Sequence, residues 1–273
     1  MAKKEWRIYG TVFSNPVAID GVNIVRIDLT DYKEMKRMFK EIRPDAVIHT
    51  AAAADPNYCQ THKEESHKIN VAASINLAGL CSDLKIPCVF TSTDLVFNGL
   101  HAPYREEDKV CPVNIYGEQK VLAEEKILER YPGAAVCRMA LMFGMPGPAS
   151  ESFIQPMLRD MREGKGVRLF IDEFRNPISA ETAVKGLFIA LKKVNGIIHL
   201  GGIERVSRFE FGRLLADVFS ISNAQLISCR QGDIIMAAPR SPDVTLDSSK
   251  AYALGFRPLT LREELLSAGV HKY

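Results

Sequence analysis

Tyr116 and Lys120 stand four residues apart, just past the run Val89-Phe90-Thr91-Ser92-Thr93-Asp94, which reads as a buried strand ending in hydroxyls. On a helix, an i, i+4 spacing puts both side chains on one face. A phenol titrates near pH ~10 and is a poor acid–base catalyst at neutrality, but a neighbouring ammonium favours the phenolate and lowers that value. A hydroxyl such as that of Thr93 can hold a substrate carbonyl while Tyr116 gives or takes the proton. Taken alone, a Tyr and a Lys at this spacing are more often a packed ring beside a solvated charge, so the surrounding pattern decides.

That pattern is an alternation of helices and short apolar strands. A helix is expected from Tyr32 to Ile42, with Met35, Met38, Phe39 and Ile42 on one face and Asp31 with Glu34 set as a capping box. Ala46-Val47-Ile48-His49, Cys88-Val89-Phe90-Thr91, Ala134-Ala135-Val136-Cys137 and Ile197-Ile198-His199-Leu200 are apolar runs suited to a sheet buried on both faces. Helical patterns lie between them, near residues 66–84 and 116–130. Together they predict an α/β fold with a parallel sheet and right-handed crossovers. A later amphipathic helix, Phe209 to Phe219, is opened by Ser207. Gly201-Gly202 before it marks a strand exit, since a dinucleotide loop needs a third glycine.

The 273 residues are enough for one large α/β domain with a smaller lobe. A net charge of +2, from 35 basic and 33 acidic side chains, gives no case for nucleic acid or an anionic membrane as partner. The six cysteines form no Cys-x-x-Cys pair, and the histidines show no ligand spacing, so reduced thiols, no metal site and a cytoplasmic location are expected. Met1 to Trp6 lacks the apolar core of a signal peptide.

Several motifs in order resemble the extended short-chain dehydrogenase/reductase family: Phe90-Thr91-Ser92-Thr93-Asp94, Pro103-Tyr104-Arg105-Glu106-Glu107-Asp108, and Asn114-Ile115-Tyr116-Gly117-x-x-Lys120. Asp28-Leu29-Thr30-Asp31, Arg43-Pro44-Asp45-Ala46-Val47-Ile48-His49-Thr50-Ala51-Ala52, Ile69-Asn70-Val71, Arg138 and Leu246-Asp247-Ser248-Ser249-Lys250 extend the likeness over nearly the whole chain. It is greatest to the branch holding dTDP-4-dehydrorhamnose reductase and the regulatory subunit of methionine adenosyltransferase. The resemblance implies a Rossmann-like doubly wound sheet in a single domain, with a small substrate lobe built mainly from about residues 145–180 and 203–273. It also implies reduction of a 4-keto group on a nucleotide-linked deoxysugar by NADPH or NADH.

In that reading Thr93, Tyr116 and Lys120 are catalytic, with Lys120 also holding the cofactor ribose and lowering the Tyr116 pKa. Asp28, Leu29, Ala51, Ala52, Ala53, Asn70 and Thr91 line the cofactor, and Thr93, Asp94, Arg138 and Arg240 meet the substrate. Arg138, after an apolar strand, reads almost equally well as a buried structural arginine, and Arg240, between prolines, as a surface one. Leu95 departs from the branch, where Tyr is common. The alternatives are a non-catalytic binding or regulatory subunit, which the methionine adenosyltransferase regulator exemplifies, and a sugar-nucleotide epimerase or dehydratase using the same Tyr and Lys.

One departure is larger. Members of the family open with a strand, a Thr-Gly-x-x-Gly-x-x-Gly turn and a helix that seat the cofactor pyrophosphate on backbone N–H groups. Here Gly10 and Gly21 are the only early glycines, and Glu5 to Thr11 resembles the family's second strand. Three readings stay open: a truncated start, a rearranged sheet in which Glu5 to Thr11 pairs beside Ala46 to His49, or a cofactor-poor relative. Unpaired strand edges would in turn favour a homodimer or a partner subunit.

Overall fold

The computed structural model describes residues 5–15, 17–144, 147 and 151–267. The opening residues 1–4, and 145–146 and 148–150 at the expected start of the substrate lobe, lie outside them. In chain order the elements are β1 (Ile8–Val12), β2 (Val22–Arg26), α1 (Tyr32–Ile42), β3 (Val47–His49), α2 (Pro56–Thr61), α3 (Lys63–His67), α4 (Ala73–Leu84), β4 (Cys88–Thr93), α5 (Ile115–Arg130), β5 (Ala135–Met139) and β6 (Met142–Phe143). They continue with α6 (Ile154–Arg162), β7 (Gly166–Phe170), β8 (Phe174–Arg175), β9 (Ile178–Ser179), α7 (Ala180–Lys193), β10 (Gly196–Leu200), β11 (Val206–Ser207), α8 (Arg208–Val218), β12 (Gln225–Cys229), α9 (Ser249–Ala253) and α10 (Leu261–Ser267).

The central sheet is parallel, in the order β10-β5-β4-β3. Its strands alternate side chains between two apolar layers, which is why β4 and β5 read as continuous hydrophobic runs. On one face Phe90 and Val136 pack with Met35 and Phe39 of α1, Leu77 of α4 and Ile127 of α5. On the other, Val89, Ala135 and Cys137 pack with Ala183 and Leu187 of α7. A separate core joins α6, α8 and α10 through Ile154, Leu158, Phe211, Leu215 and Leu265. This is the expected α/β architecture. All six cysteines are free thiols, no metal-binding cluster occurs among the described residues, and no described helix is long and apolar enough to cross a membrane.

Local signals set the element starts. The Asp31 carboxylate caps α1 by accepting from the Lys33 and Glu34 amides, while Glu34 reaches the Asp28 amide instead of closing a capping box. Ser207 and Glu210 close a full box at α8. Between α3 and α4 the helix widens into one π turn, Lys68–Ala72, which carries Asn70.

Two expectations are corrected. Glu5 to Thr11 does not pair beside Ala46 to His49: β1 pairs in parallel with β2 in a sheet of its own, and a cavity of about 690 Å³ separates β1 from β3. Arg138 does not front a ligand. It lies inside β5, 3% exposed, and forks onto Glu124 of α5 through Nη2 at 2.8 Å and Nε at 3.2 Å. Its Nη1 reaches the Glu106 carbonyl and His199 Nε2 of β10, both at 3.4 Å. The His199 ring is held neutral, its pKa lowered to about 3 by burial and then by Arg138. Arg138 therefore ties α5 to two strands from inside the protein.

Removing one partner of a buried ion pair strands the other charge. Arg138→Met should lower the unfolding free energy by about 3–5 kcal/mol in denaturant titrations, and adding Glu124→Leu should restore most of it. If the single variant keeps full stability, Arg138 is not structural.

Candidate active site

The end of β4 and the first turn of α5 meet almost without intervening atoms. Gly117 permits this: a Cβ there would collide with the Leu95 carbonyl oxygen and stand 2.8 Å from Pro112 Cβ. Asn114 caps the helix by accepting from the Gly117 amide at 2.9 Å, and its Nδ2 donates to the Pro239 carbonyl at 3.1 Å, beside half-buried Arg240. On the far side Gln119 of α5 donates to Ser66 at 2.9 Å and accepts from Asn70 at 2.9 Å. Asn70 also binds the backbone of Ala53, donating to its carbonyl and accepting from its amide at 2.8 Å. One polar network thus fixes α5 against the Ala51–Ala53 loop.

Held this way, α5 turns Tyr116, Lys120 and Glu124 inward, all buried. Thr93, 7% exposed, donates to Asp94 Oδ1 at 3.1 Å and accepts from the Leu95 amide at 3.2 Å. The pKa of the Tyr116 phenol is raised well above the ordinary value by burial first and then by Asp94 and Cys59, against a smaller opposing effect of the Thr93 hydroxyl. The expected depression by Lys120 is therefore absent, and Tyr116 is a neutral phenol at physiological pH.

Lys120 Nζ donates to the Thr91 carbonyl at 2.6 Å and lies 4.0 Å from the centre of the Phe90 ring. Burial lowers its pKa to about 7, against the opposing pull of Glu124. Asp94 is fully buried 3.8 Å from Arg175 Nε, and here too burial prevails over the ion pair, raising its pKa to about 6. Asp94 Oδ2 and the Ser92 hydroxyl have no hydrogen-bond partner. These groups are costly in a folded core, as is common where chemistry is done.

Asp28, Leu29, Ala51 and Ala52 come together as the lining of a second cavity, about 330 Å³, at the ends of β1 and β2. Asp28 uses Oδ1 on the amide and hydroxyl of Thr30, at 2.8 and 2.7 Å, leaving Oδ2 for a ligand hydroxyl. Ala53 is held by the Asn70 side chain, and Thr91 donates to the His49 carbonyl at 3.1 Å. The residues fit the two ends of a dinucleotide: an adenosine-sized recess with a carboxylate, and a Tyr/Lys pair with an orphan hydroxyl nearby. Between them the early part of the chain offers no glycine turn.

Two cations escaped the sequence reading. Arg175, inside β8, binds the Ser241 carbonyl and faces Asp94. Arg208 opens α8, half-buried over the Phe153 ring at 4.3 Å with Nη1 unpartnered, and its pKa is lowered to about 10 by desolvation first, with Arg175 and Arg240 adding to the drop.

The RmlD substrate binding domain family matches residues 3–271. Methionine adenosyltransferase 2 subunit beta of Xenopus laevis is 29% identical over 236 residues, covering 84% of this chain and 70% of that protein. A probable low-salt glycan biosynthesis reductase of Haloferax volcanii is 29% identical over 245 residues, covering 88% and 82%. Among solved structures, a hypothetical dTDP-4-dehydrorhamnose reductase from Sulfolobus tokodaii is 31% identical with a TM-score of 0.78, covering 90% of this chain and 87% of that one. A Bacillus anthracis dTDP-4-dehydrorhamnose reductase in complex with NADP shares the fold at 21% identity, with a TM-score of 0.83 and coverage of 92% and 90%. With a match over nearly its full length and a fold shared with these reductases, the chain belongs to the RmlD substrate binding domain family.

Proposed function

We propose that this protein is a nicotinamide-dependent reductase of a 4-keto, nucleotide-linked deoxysugar. The observation that carries the reading is the buried row of Tyr116 and Lys120, one helical turn apart on α5, with Gly117 holding that helix against the end of β4 where Thr93 stands. A carbonyl oxygen placed against both hydroxyls is oriented by Thr93 and protonated by Tyr116 as it gains negative charge. The phenol is protonated at physiological pH, as the proton donor of a reduction must be before the substrate arrives. A bound NADPH or NADH supplies the hydride. Asp28, Leu29, Ala51 and Ala52 would hold its adenosine end, Lys120 the ribose near the reacting centre, and Arg240 with Arg208 the substrate's diphosphate. Arg138 has no part in binding on this reading.

A second reading, a regulatory subunit, is supported by the likeness to methionine adenosyltransferase 2 subunit beta. The two part on turnover. Tyr116→Phe should cut the rate of reduced-nicotinamide oxidation with a 4-keto sugar nucleotide by on the order of a hundredfold, with thermal unfolding unchanged. Unaltered kinetics in that variant, or no turnover by the wild type at saturating cofactor, would favour the binding role.

Lys120 gives a pH signature. Its pKa is 10.5 unfolded and about 7 folded, so between those values the unfolded chain holds the extra proton. Stability contributed by this group therefore rises with pH through that window, by at most ~1.4 kcal/mol per pH unit. Lys120→Met removes the rise. The unfolding free energy of wild type minus variant should be flat below pH 7 and climb from pH 7 to 9. A difference independent of pH would mean that the ammonium is not desolvated.

A further inference from the structure

One stretch of chain from the small lobe, residues 231–241, reaches back over the reactive centre. It is anchored at both ends. The Gln231 amide donates to the Asp172 carboxylate at 3.0 Å, while the Ser241 hydroxyl donates to the Phe97 carbonyl at 2.8 Å and its carbonyl accepts from Arg175. Between the anchors two hydrogen bonds, both 3.1 Å long, tie the stretch to the half of the molecule that carries the sheet: the Ala238 amide donates to Asn57 Oδ1, and the Pro239 carbonyl accepts from Asn114 Nδ2. These two asparagines flank the site. Asn114 caps α5 two residues before Tyr116, and Asn57 lies in α2 two residues before Cys59, which is near enough to Tyr116 to help raise its pKa. Burial alternates along the stretch, with Ile234, Met236, Ala238 and Arg240 covered and Ile235, Ala237 and Pro239 exposed. Among the described residues Ile235, Met236 and Ala237 make no backbone hydrogen bond, so little opposes local opening there.

We propose that residues 231–241 form a strap that opens to admit a ligand carrying a nucleoside diphosphate and closes over it, and that Asn57 is the positioning residue that latches the strap shut. The ligand class follows from Arg240, which lies on the covered side of the strap and near Arg208, since two neighbouring guanidinium groups suit a diphosphate. The latch is assigned to Asn57 by elimination. Asn114 Oδ1 also caps α5 on the Gly117 amide, whereas the Asn57 side chain makes no hydrogen bond except that to Ala238, and α2 is capped by Asp55. A ligand that binds only under a closed strap has its apparent affinity reduced by the fraction that is open. Loss of one neutral hydrogen bond shifts that balance by about two- to tenfold. The ligand class rests on the proposed reductase reading; the latch does not.

The test uses the 273-residue chain as wild type, Asn57→Ala and Asn57→Asp, with hydrogen exchange followed by NMR and thymidine diphosphate as the probe. Asn57→Ala should speed exchange at Ala238 by about two- to tenfold, while the Gly117 amide, held by Asn114, keeps its rate. Asn57→Asp retains the acceptor and should restore protection at Ala238. Thymidine diphosphate should slow Ala238 exchange in the wild type and bind Asn57→Ala about two- to tenfold more weakly. An Ala238 rate unchanged by Asn57→Ala, or a Gly117 rate that rises with it, would overturn the latch. Equal affinity of wild type and Asn57→Ala for the nucleotide would overturn closure over the ligand. If the wild type binds no nucleotide, the ligand class and the reductase reading fail together, and the exchange rates alone decide the latch.

Discussion

A missing methyl group sets the geometry of this protein's reactive centre. Without a Cβ at Gly117, α5 settles directly on the Leu95 carbonyl, and its first turn brings Tyr116 to the end of β4, where Thr93 stands. Everything else that touches α5 maintains this approach. Asn114 caps the helix and reaches Pro239, Gln119 and Asn70 bind it to the Ala53 loop, and the Glu124–Arg138 pair fastens its middle to β5. Any larger residue at 117 must push the helix, and Tyr116 with it, away from the strand end.

The buried charges fall into two kinds. Arg138 and Glu124 are paired by a two-pronged fork, and Nη1 of Arg138 finds the Glu106 carbonyl and His199, so their burial is compensated. Lys120 has one carbonyl and an aromatic face, and Asp94 has one oxygen with no hydrogen bond and an arginine at 3.8 Å. Burial accordingly wins at both, moving Lys120 down to about 7 and Asp94 up to about 6. The fold keeps these two at a cost in stability, which agrees with a role in chemistry rather than in holding the chain together.

Much of this was legible in the sequence because it is local. The strands around Ile48, Phe90, Val136 and Ile198 declared themselves by runs of apolar residues, α1 by its period and Asp31, and α8 by Ser207. The Tyr116/Lys120 spacing located the site. What was not legible depends on three-dimensional surroundings. The pKa of Tyr116 rises because burial and then Asp94 outweigh the Thr93 hydroxyl, and no spacing rule contains that burial. Arg138 was placed after its strand rather than inside it, a shift of the strand end by two residues that turns a loop ligand into a core ion pair. The pairing of β1 with β2, rather than with β3, is a choice between distant partners that hydrophobic pattern leaves undetermined. Arg208 was passed over because a single arginine at a helix start carries no pattern.

The central claim is that Thr93 and Tyr116 receive a carbonyl for reduction. Its most direct test is isotopic. The chain is incubated at saturating concentration with NADPH carrying deuterium at the transferable position and with a 4-keto nucleotide-linked deoxysugar, and the sugar product is analysed by NMR. The account expects one deuterium on the carbon of the former carbonyl, with the new hydroxyl proton exchanging from solvent. Bound cofactor with no deuterium in the sugar, or deuterium at any other carbon, would contradict it.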